Sequence, residues 1–508
     1  MVFLVWLICV IRLNINYCIL SLCTTGIKTK ILITMDSSRK SKKEILVLLT
    51  KWFPFTVPYY IGSFSARFRM LIHCGSGGYI NHIRFNKFLR ESQWWPQEKL
   101  EEYQMKKLFS LLEHTINNVS YYTDLFKQRG LDLSDFSSLN DIAKIPLLTR
   151  ESLADNADRL IAKNIDIADN KRYLLKRTSG STGSPIAIYW DKKEMYKQEI
   201  YNYWLYSMAT ISKLNKHIKL WSRLFIDNKI KDVKYHDPYN ARISLSTVPN
   251  TSDSMGEYLR IIDEFKPVYI IGPPSFLYNL AGYALENGFD DVNFPAFMSC
   301  YENIYAYQKK TITKQFRCNI FRCYGSEEFH TIAMECERGS GMHIDLRKGI
   351  LEIIDEKGKV LPNGQKGRVV YTGFDNHTMP LIRYVLGDIS TISTKRCSCG
   401  RGLPLLESID GRVSEIIKYN GKYIYPATLS VMLERFPNIK ECQFVKDDNK
   451  ITINIVKRPF YSPEDTTRLV MMLKDMIDKN LNLDINFVDS IPRTKVGKFK
   501  FIINNTKK

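Results

Sequence analysis

The sequence predicts an α/β fold: a large N-terminal domain of mixed sheets flanked by helices, with a small β-rich part, followed by a small C-terminal α+β domain. Strand-like and helical runs alternate from residue 176, as they do in sheets with crossover helices. From residue 349 the runs are β-rich and separated by Gly-containing turns, which is typical of hairpins. From residue 412 a short unit combines two or three strand-like runs with two helical ones.

The length of the chain also indicates more than one domain. A chain of 508 residues is too long for one compact core, because domains have roughly 150 residues each. We expect an apolar N-terminal extension over 1–35, a large domain over 36–411 and a small mobile domain over 412–508.

The predicted elements follow from local patterns. Between residues 93 and 130, leucines recur at three- and four-residue spacings, and Pro96 with Glu98 suits a helix start. A strand is predicted over 185–190 and a helix with aromatic residues along one side over 192–209. Residues 260–288 predict a helix, a buried strand, a loop and a second helix.

Composition narrows the class of protein. Apolar residues make up 44% and charged residues 25%, which is the balance of a globular protein. Lys and Arg number 73 against 53 acidic residues, for a net charge of +20. The basic residues are scattered and no zinc-finger, RRM or homeodomain pattern occurs, so we expect no nucleic-acid partner. Eleven cysteines at irregular spacings fit no disulfide framework and favour a reducing compartment.

The N-terminal stretch is apolar but interrupted by Arg12, Asn14 and Asn16. It is marginal as a membrane span, which needs about 20 predominantly apolar residues, and it lacks the basic start of a signal peptide. The sequence from Met35 onward resembles the ordinary N-terminus of a cytosolic protein. Three interpretations of the N-terminal stretch stay open: extra upstream sequence, a membrane anchor or a signal peptide. We expect a cytoplasmic protein, with peripheral membrane association through this stretch as an open possibility.

A loop rich in Ser, Thr and Gly precedes the strand predicted at 185–190. Its hydroxyls and backbone N–H groups are donors for an anion, and its glycines let the backbone approach a ligand closely. No Gly-Lys-Ser/Thr closes the loop, so it is not a P-loop. On composition alone, a phosphate-binding loop and an ordinary turn both stay open. The loop residues are Thr178, Ser179, Gly180, Ser181, Thr182 and Gly183.

Charged residues recur in four later stretches. Glu328 lies in "YGSEEF" after a strand end, where ligands of α/β sheets bind. Asp388 lies in "MPLIRYVLGDIS", Arg412 in "IDGRVSEII" and Lys498 in "IPRTKVGKFK". Taken singly, each stretch is also explained by a capped turn, a surface ion pair or a basic tail.

In this order, the five stretches resemble the motifs of the adenylate-forming superfamily, over about residues 93–503. Within it the chain resembles the phenylacetate–CoA ligase-like branch, including capsular polysaccharide biosynthesis proteins of the CapK type. The branch-specific matches include "IPLLTRESL", "MPLIRY-x-x-GD" and "CSCGRGLPLLESIDGR". The resemblance implies an enzyme of the acid–thiol ligase type, which uses ATP to convert a carboxylic acid into an acyl-AMP. Residues 36–411 would then bind the nucleotide and the acyl group.

The resemblance assigns nucleotide-binding roles to several residues. Thr178–Gly183 would hold the β- and γ-phosphates of ATP. Tyr324 would lie against the adenine, and Asp388 would accept hydrogen bonds from the ribose hydroxyls, a task suited to a carboxylate. Arg412 would contact the ribose or a phosphate at the hinge between the domains.

The resemblance implies two catalytic residues, Lys498 and Glu328. Lys498 would neutralise charge between the carboxylate and the α-phosphate, for which a compact charge on a long stem is suited. Glu328 would bind Mg²⁺, an ion that prefers oxygen ligands. Rotation of the small domain about residues 412–415 would then present the second nucleophile.

Three positions depart from the branch. Glu327 stands where relatives have Ser or Thr, and its charge would act on phosphate or on neighbouring pKa values. Ser414 and Glu415 replace an acidic pair after Arg412, which leaves the hinge residue open. Arg368 replaces a glutamate before the strand of "VVYTG".

Four residues form a candidate metal site. Cys336, His343, Cys397 and Cys399 offer the thiolates and imidazole that suit a closed structural Zn²⁺ site. Their spacing is not that of a zinc finger, and His330 is a rival fourth ligand. Some members of the branch hold a structural zinc, but four unrelated reduced side chains stay open as the alternative.

The acceptor of the acyl group is not readable from the sequence. CoA is expected from the resemblance to the phenylacetate enzymes. Transfer to an amine or hydroxyl of a sugar stays open, as does an inactive scaffold for polysaccharide assembly. Whether the chain forms a homodimer also stays open.

Overall fold

The computed structural model describes residues 17–24, 27–34, 83–177, 186–212, 215–221, 234–237, 241–247, 252–448, 450–494 and 499–506. The loop Thr178–Gly183 and Lys498 lie outside these ranges, so their predicted roles stay predictions.

Among the residues described, the large lobe contains a helical segment over 83–92 and seven further α-helices. The helical region predicted between 93 and 130 is divided into two, because Val119 adopts an extended conformation (φ −116°, ψ 107°). The predicted helix over 192–209 is found almost to the residue. The helices are α1 (Gln97–Asn118), α2 (Ser120–Arg129), α3 (Arg150–Asp155), α4 (Lys192–Met208), α5 (Ser252–Phe265), α6 (Pro274–Glu286) and α7 (Ala306–Phe316).

Sixteen strands precede the small domain in the described ranges. Two form an N-terminal hairpin, two form a second hairpin and twelve share one sheet. They are β1 (Tyr17–Thr24), β2 (Ile27–Thr34), β3 (Tyr173–Arg177), β4 (Ala187–Asp191), β5 (His217–Leu220), β6 (Lys234–Asp237), β7 (Arg242–Leu245), β8 (Tyr269–Gly272), β9 (Ala296–Ser299), β10 (Asn319–Ser326), β11 (His330–Glu335), β12 (Met342–Ile344), β13 (Gly349–Ile354), β14 (Lys366–Gly373), β15 (Tyr384–Ile392) and β16 (Leu405–Arg412).

The twelve-stranded sheet confirms the predicted mixed α/β fold. Its order is β13-β14-β15-β16-β12-β11-β10-β9-β8-β5-β7-β6. Strands β10, β9, β8, β5 and β7 pair in parallel, and the strands from β13 to β10 pair antiparallel. The parallel part is covered by α5, α6 and α7, whose apolar faces bury Ile262, Leu277 and Ile312 against Phe297 of β9.

The C-terminal unit has its own sheet and core. Its elements are β17 (Ile417–Tyr419), β18 (Lys422–Ile424), α8 (Pro426–Leu433), β19 (Ile439–Asp447), β20 (Lys450–Lys457), α9 (Pro463–Met476), β21 (Leu483–Phe487) and β22 (Ile502–Asn504). The sheet order is β21-β20-β19-β22, and Leu469 and Leu473 of α9 pack on Phe444 and Ile453. The small α+β unit is therefore found, whereas the boundary at 412 stays a prediction.

The predicted membrane association through the N-terminal apolar stretch is wrong. From Tyr17 onward the stretch pairs with itself as an antiparallel hairpin, Tyr17 opposite Thr34 and Thr24 opposite Ile27. Among the residues that the structure describes, no helix is long and apolar enough to cross a membrane. Residues 1–16, including Arg12, lie outside the described ranges.

Candidate active site

A cavity of about 510 Å³ lies between the large lobe and the small domain. It opens at the carboxyl ends of the parallel strands β9 and β10, where Ser299 and Tyr324 line it. Phe499 and Phe501 of the small domain line the opposite side. This position follows the rule that ligands of α/β sheets bind beyond the carboxyl ends of the strands. The volume is in the range of small-molecule sites.

Tyr324 and Asp388 meet at the wall of this cavity, although 64 residues separate them. The Tyr324 hydroxyl donates a hydrogen bond to Asp388 Oδ2 at 2.9 Å. Burial, and then the charge of Asp388, raise the pKa of Tyr324 well above its ordinary value, so the phenol stays neutral and remains a donor. A carboxylate has about four acceptor positions, so Asp388 can still accept bonds from a ligand.

Arg412 joins the same group from β16. Its Nε lies 3.5 Å from Asp388 Oδ1, and the two residues are paired in the β15–β16 register. Burial lowers the pKa of Arg412, but the carboxylates of Asp388 and Glu415 outweigh it, and the net shift is upward. Gly411 has a φ of +131°, and a Cβ there would lie 2.5 Å from Pro426 Cγ. Glycine is therefore needed where the chain enters the small domain.

Glu328 lies apart from the three residues above. It is buried in the turn between β10 and β11, and the Tyr384 hydroxyl is 3.5 Å from its Oε1. It lines a separate small cavity with Lys348 and Asp375 rather than the large one. Its charge nevertheless raises the pKa of Tyr324, so the two sites are electrostatically connected.

The turn that carries Glu328 is tightly built. A Cβ on Gly325 would lie 2.1 Å from the carbonyl oxygen of His330, so only glycine allows the two strands to approach here. His330 itself has a φ of +59°. Its Nε2 is 3.0 Å from Lys176 Nζ, which connects the turn to the end of β3, next to the predicted phosphate loop.

The candidate metal ligands are brought together. The ligand atoms of Cys336, His343, Cys397 and Cys399 all lie within 4.8 Å of one another. Cys336 Sγ is 3.7 Å from Cys397 Sγ, and Cys399 Sγ is 3.4 Å from His343 Nε2. His330, the rival ligand, is not in this cluster and contacts Lys176 instead.

The surroundings of the cluster fit a zinc ion. His343 Nδ1 is 3.2 Å from the Leu403 carbonyl oxygen, which fixes the ring and leaves Nε2 facing the sulfur atoms. Burial lowers the pKa of His343, so the ring is held in the neutral form that binds metals. Three sulfur atoms and one nitrogen are the donor set of a structural zinc. The occupancy of this site stays a prediction.

Sequence motifs singled out no individual residue of the segment that follows β9. Tyr301, Glu302, Asn303 and Tyr305 all line the large cavity, yet no motif drew attention to them. The rule that pointed to Glu328 applies to these four residues as well, because they follow the carboxyl end of a parallel strand.

Comparisons with known proteins agree with this geometry. Residues 416–505 match the model of the CapK C-terminal domain. Protein CapK of Staphylococcus aureus is 24% identical over 80% of this chain and 90% of that protein. Phenylacetate-coenzyme A ligase of Thermus thermophilus is 24% identical over 69% of this chain and 78% of that protein.

A solved structure decides the fold. The structure of 2-hydroxyisobutyryl-CoA ligase in the postadenylation state, in complex with R3-HIB-AMP, superposes with a TM-score of 0.69 at 16% identity. The match covers 81% of this chain and 91% of that one. This chain has the adenylate-forming ligase fold. The resemblance to the phenylacetate–CoA ligase-like branch and its CapK relatives is confirmed, and the relatives and the structural neighbour named above include acyl-CoA ligases, the enzyme type that was expected.

The arrangement of the two lobes within this adenylate-forming fold can also be compared. The same 2-hydroxyisobutyryl-CoA ligase in the thioesterification state gives a TM-score of only 0.55 over 82% of this chain. Because both reference structures are of the same enzyme, the difference in TM-score reflects the different positions of its two lobes in the two states. The lobes of this chain lie closer to the postadenylation arrangement.

Proposed function

We propose that this chain activates a carboxylic acid with ATP as an acyl-AMP and then transfers the acyl group to CoA. In the first step a carboxylate oxygen attacks the α-phosphorus, and pyrophosphate leaves. In the second step the CoA sulfur attacks the acyl carbonyl carbon, its proton passes to solvent, and AMP leaves. The relatives named as phenylacetate-coenzyme A ligases support CoA as the acceptor.

The observation that carries this proposal is the contact of Tyr324, Asp388 and Arg412 at one wall of the cavity. A buried, neutral aromatic ring beside a carboxylate is suited to a nucleoside, with the ring against the base and Asp388 accepting from the ribose hydroxyls. The Arg412 side chain, which is partly exposed beside Asp388, would contact the ribose or a phosphate.

The phosphate end of the site would be completed by two further motifs, the Ser/Thr/Gly loop and the stretch around Lys498. Thr178–Gly183 would hold the β- and γ-phosphates, and Lys498 would neutralise the charge that develops at the α-phosphate. Glu328, which lines the separate small cavity, would offer an oxygen donor to Mg²⁺, and the ion would supply positive charge to the phosphates when bound.

A second candidate acceptor is an amine or hydroxyl of a sugar, in capsular or other extracellular polysaccharide synthesis. The similarity to CapK over both lobes and the match of residues 416–505 to the CapK C-terminal domain favour it. The acyl-AMP step is the same in both cases, so only the acceptor differs.

ATP–pyrophosphate exchange with a panel of aromatic, aliphatic and hydroxy acids tests the proposal. We expect exchange that depends on one class of acid. Adding CoA or an amino sugar to the active mixture then separates the acceptors by which one yields AMP and an acyl product. Binding of ATP without exchange for any acid in the panel would instead support an inactive scaffold.

A further inference from the structure

The segment after β9 contacts the small domain at the mouth of the cavity. Glu302 Oε1 accepts a hydrogen bond from the backbone N–H of Phe499 at 3.1 Å. Three residues along the segment, the rings of Tyr305 and Phe501 lie 4.6 Å apart. All four residues line the cavity that Tyr324 also lines. The two lobes are thus joined beside the cavity wall that Tyr324, Asp388 and Arg412 form.

Residues 499–501 belong structurally to the small domain. The Phe444 N–H of β19 donates to the Phe501 carbonyl oxygen at 2.9 Å, and Gln443 Nε2 donates to the Lys500 carbonyl oxygen at 2.8 Å. A bond to the Phe499 N–H therefore holds the edge of the small-domain sheet and not a loose tail.

Two other polar contacts between the lobes lie away from the cavity. Arg458 Nη1, directly after β20, is 3.3 Å from Glu286 Oε1 of α6, and the Tyr278 hydroxyl of α6 donates to the Lys440 carbonyl oxygen of β19 at 3.0 Å. None of these four residues lines the cavity. The bond from Phe499 to Glu302 is a charge-assisted one, which is stronger than a bond between neutral groups.

We propose that Glu302 is a positioning residue for acyl-AMP formation, and that its bond to Phe499 holds the small domain in the arrangement needed for that step. The inference rests on the proposed function. The lobes lie closer to a postadenylation arrangement than to a thioesterification arrangement, so the bond belongs to the first arrangement. Losing it should therefore slow the first half-reaction and spare the second.

The half-reactions are measured separately in Glu302→Ala, Glu302→Gln and the wild type. The first is ATP–pyrophosphate exchange with the most active acid of the panel, and the second is product formation from the corresponding synthetic acyl-AMP and CoA. We expect Glu302→Ala to lower exchange about tenfold, as loss of a bond to a charged group predicts, and to leave the second half-reaction unchanged. Glu302→Gln keeps an acceptor oxygen and should recover part of the exchange.

Glu113→Ala is the matched control, because Glu113 is exposed on α1 of the large lobe. Amide hydrogen exchange adds a readout that needs no substrate. The peptide covering 499–506 should exchange faster in Glu302→Ala than in the wild type or in Glu113→Ala.

Two outcomes would overturn the role of Glu302: wild-type exchange of pyrophosphate in Glu302→Ala, or an equal loss in both half-reactions. Unchanged amide exchange at 499–506 would show that the bond does not hold the lobes. If the wild-type chain itself shows no exchange with any acid, the proposed function is rejected, and the role of Glu302 is rejected with it. The wild-type measurement thus tells the two failures apart.

Discussion

Asp388 receives two contacts from different strands, the Tyr324 hydroxyl at 2.9 Å and Arg412 Nε at 3.5 Å. Asp388→Ala removes the proposed ribose acceptor and the partner of both neighbours. We expect the KM for ATP in pyrophosphate exchange to rise at least about tenfold, since a bond to a charged group is lost. Asp263→Ala, on the partly exposed face of α5, is the control. An unchanged KM for ATP in Asp388→Ala would contradict the assignment.

Lys348 is a buried cation beside the cavity of Glu328, and its Nζ donates to the Thr331 carbonyl oxygen at 2.6 Å. Burial lowers its pKa to about 8. An unfolded lysine has a pKa of about 10.4, so between these values the unfolded chain binds a proton that the folded chain does not, and the contribution of Lys348 to stability rises with pH. Below a pH of about 8 both states are protonated, and this contribution is constant.

We therefore expect the Tm of the wild type to increase relative to that of Lys348→Met as the pH rises from about 7 to about 9.5. Thermal unfolding of both proteins at several pH values measures the difference. The comparison with the variant cancels the other groups that titrate in this range. A Tm difference that does not change with pH would show that Lys348 has an ordinary pKa.

At the scale of elements, a buried ion pair joins β13 and the residue before β15 to the end of the 3₁₀ helix Leu139–Lys144. Arg383 Nη2 is 2.9 Å from Glu352 Oε1, and Arg383 Nη1 donates to the carbonyl oxygens of Ala143 and Ile145 at 3.1 and 2.8 Å. Arg383→Leu leaves the buried Glu352 carboxylate unpaired, which costs about 3–5 kcal/mol. Urea unfolding measures this loss.

The double variant Arg383→Leu/Glu352→Leu is the control for the ion pair, because it removes both charges together. We expect it to recover most of the stability lost in the single variant. If the double variant were as unstable as Arg383→Leu alone, packing and the carbonyl contacts, rather than the unpaired charge, would explain the loss.

The metal cluster connects the end of β11 and β12 with the loop before β16. If it holds a structural zinc, pure protein should contain about one zinc per chain, and Cys399→Ser should lose the metal and unfold at a lower temperature. Metal analysis and thermal unfolding measure both. Cys300→Ser, outside the cluster, is the matched control. Protein without near-stoichiometric zinc would refute the site.

Local patterns predict elements well and contacts poorly. The helix over 192–209 follows from residues within one turn of each other, and the structure has it at Lys192–Met208. The apolar stretch at 17–34 was ambiguous, because apolar runs occur in both strands and helices, and the pairing of Tyr17 with Thr34 decides it.

The proposed nucleotide site was predicted from a resemblance and not from periodicity. Tyr324, Asp388 and Arg412 lie on β10, β15 and β16, and only the order of the sheet brings them together. The contact between Glu302 and Phe499 spans 197 residues and two domains, so no local rule predicts it. Glu328 was expected with the other residues of the proposed nucleotide site, but it lines its own small cavity.

For the whole molecule, function depends on how the two lobes meet. The cavity is lined from both sides, by Tyr324 and Asp388 of the large lobe and by Phe499 and Phe501 of the small domain. Lys498 directly precedes the small-domain part of this lining in the sequence. The proposed function therefore requires the small domain to deliver this lysine to the nucleotide.

The central claim, that a lysine of the small domain assists acyl-AMP formation, is tested most directly by ATP–pyrophosphate exchange in the wild type and in Lys498→Ala, with ATP binding measured in parallel. We predict acid-dependent exchange in the wild type, and in Lys498→Ala unchanged ATP binding with exchange lowered about a hundredfold or more, as expected when charge stabilisation is lost from the transition state. Exchange by Lys498→Ala at the wild-type rate would contradict the claim.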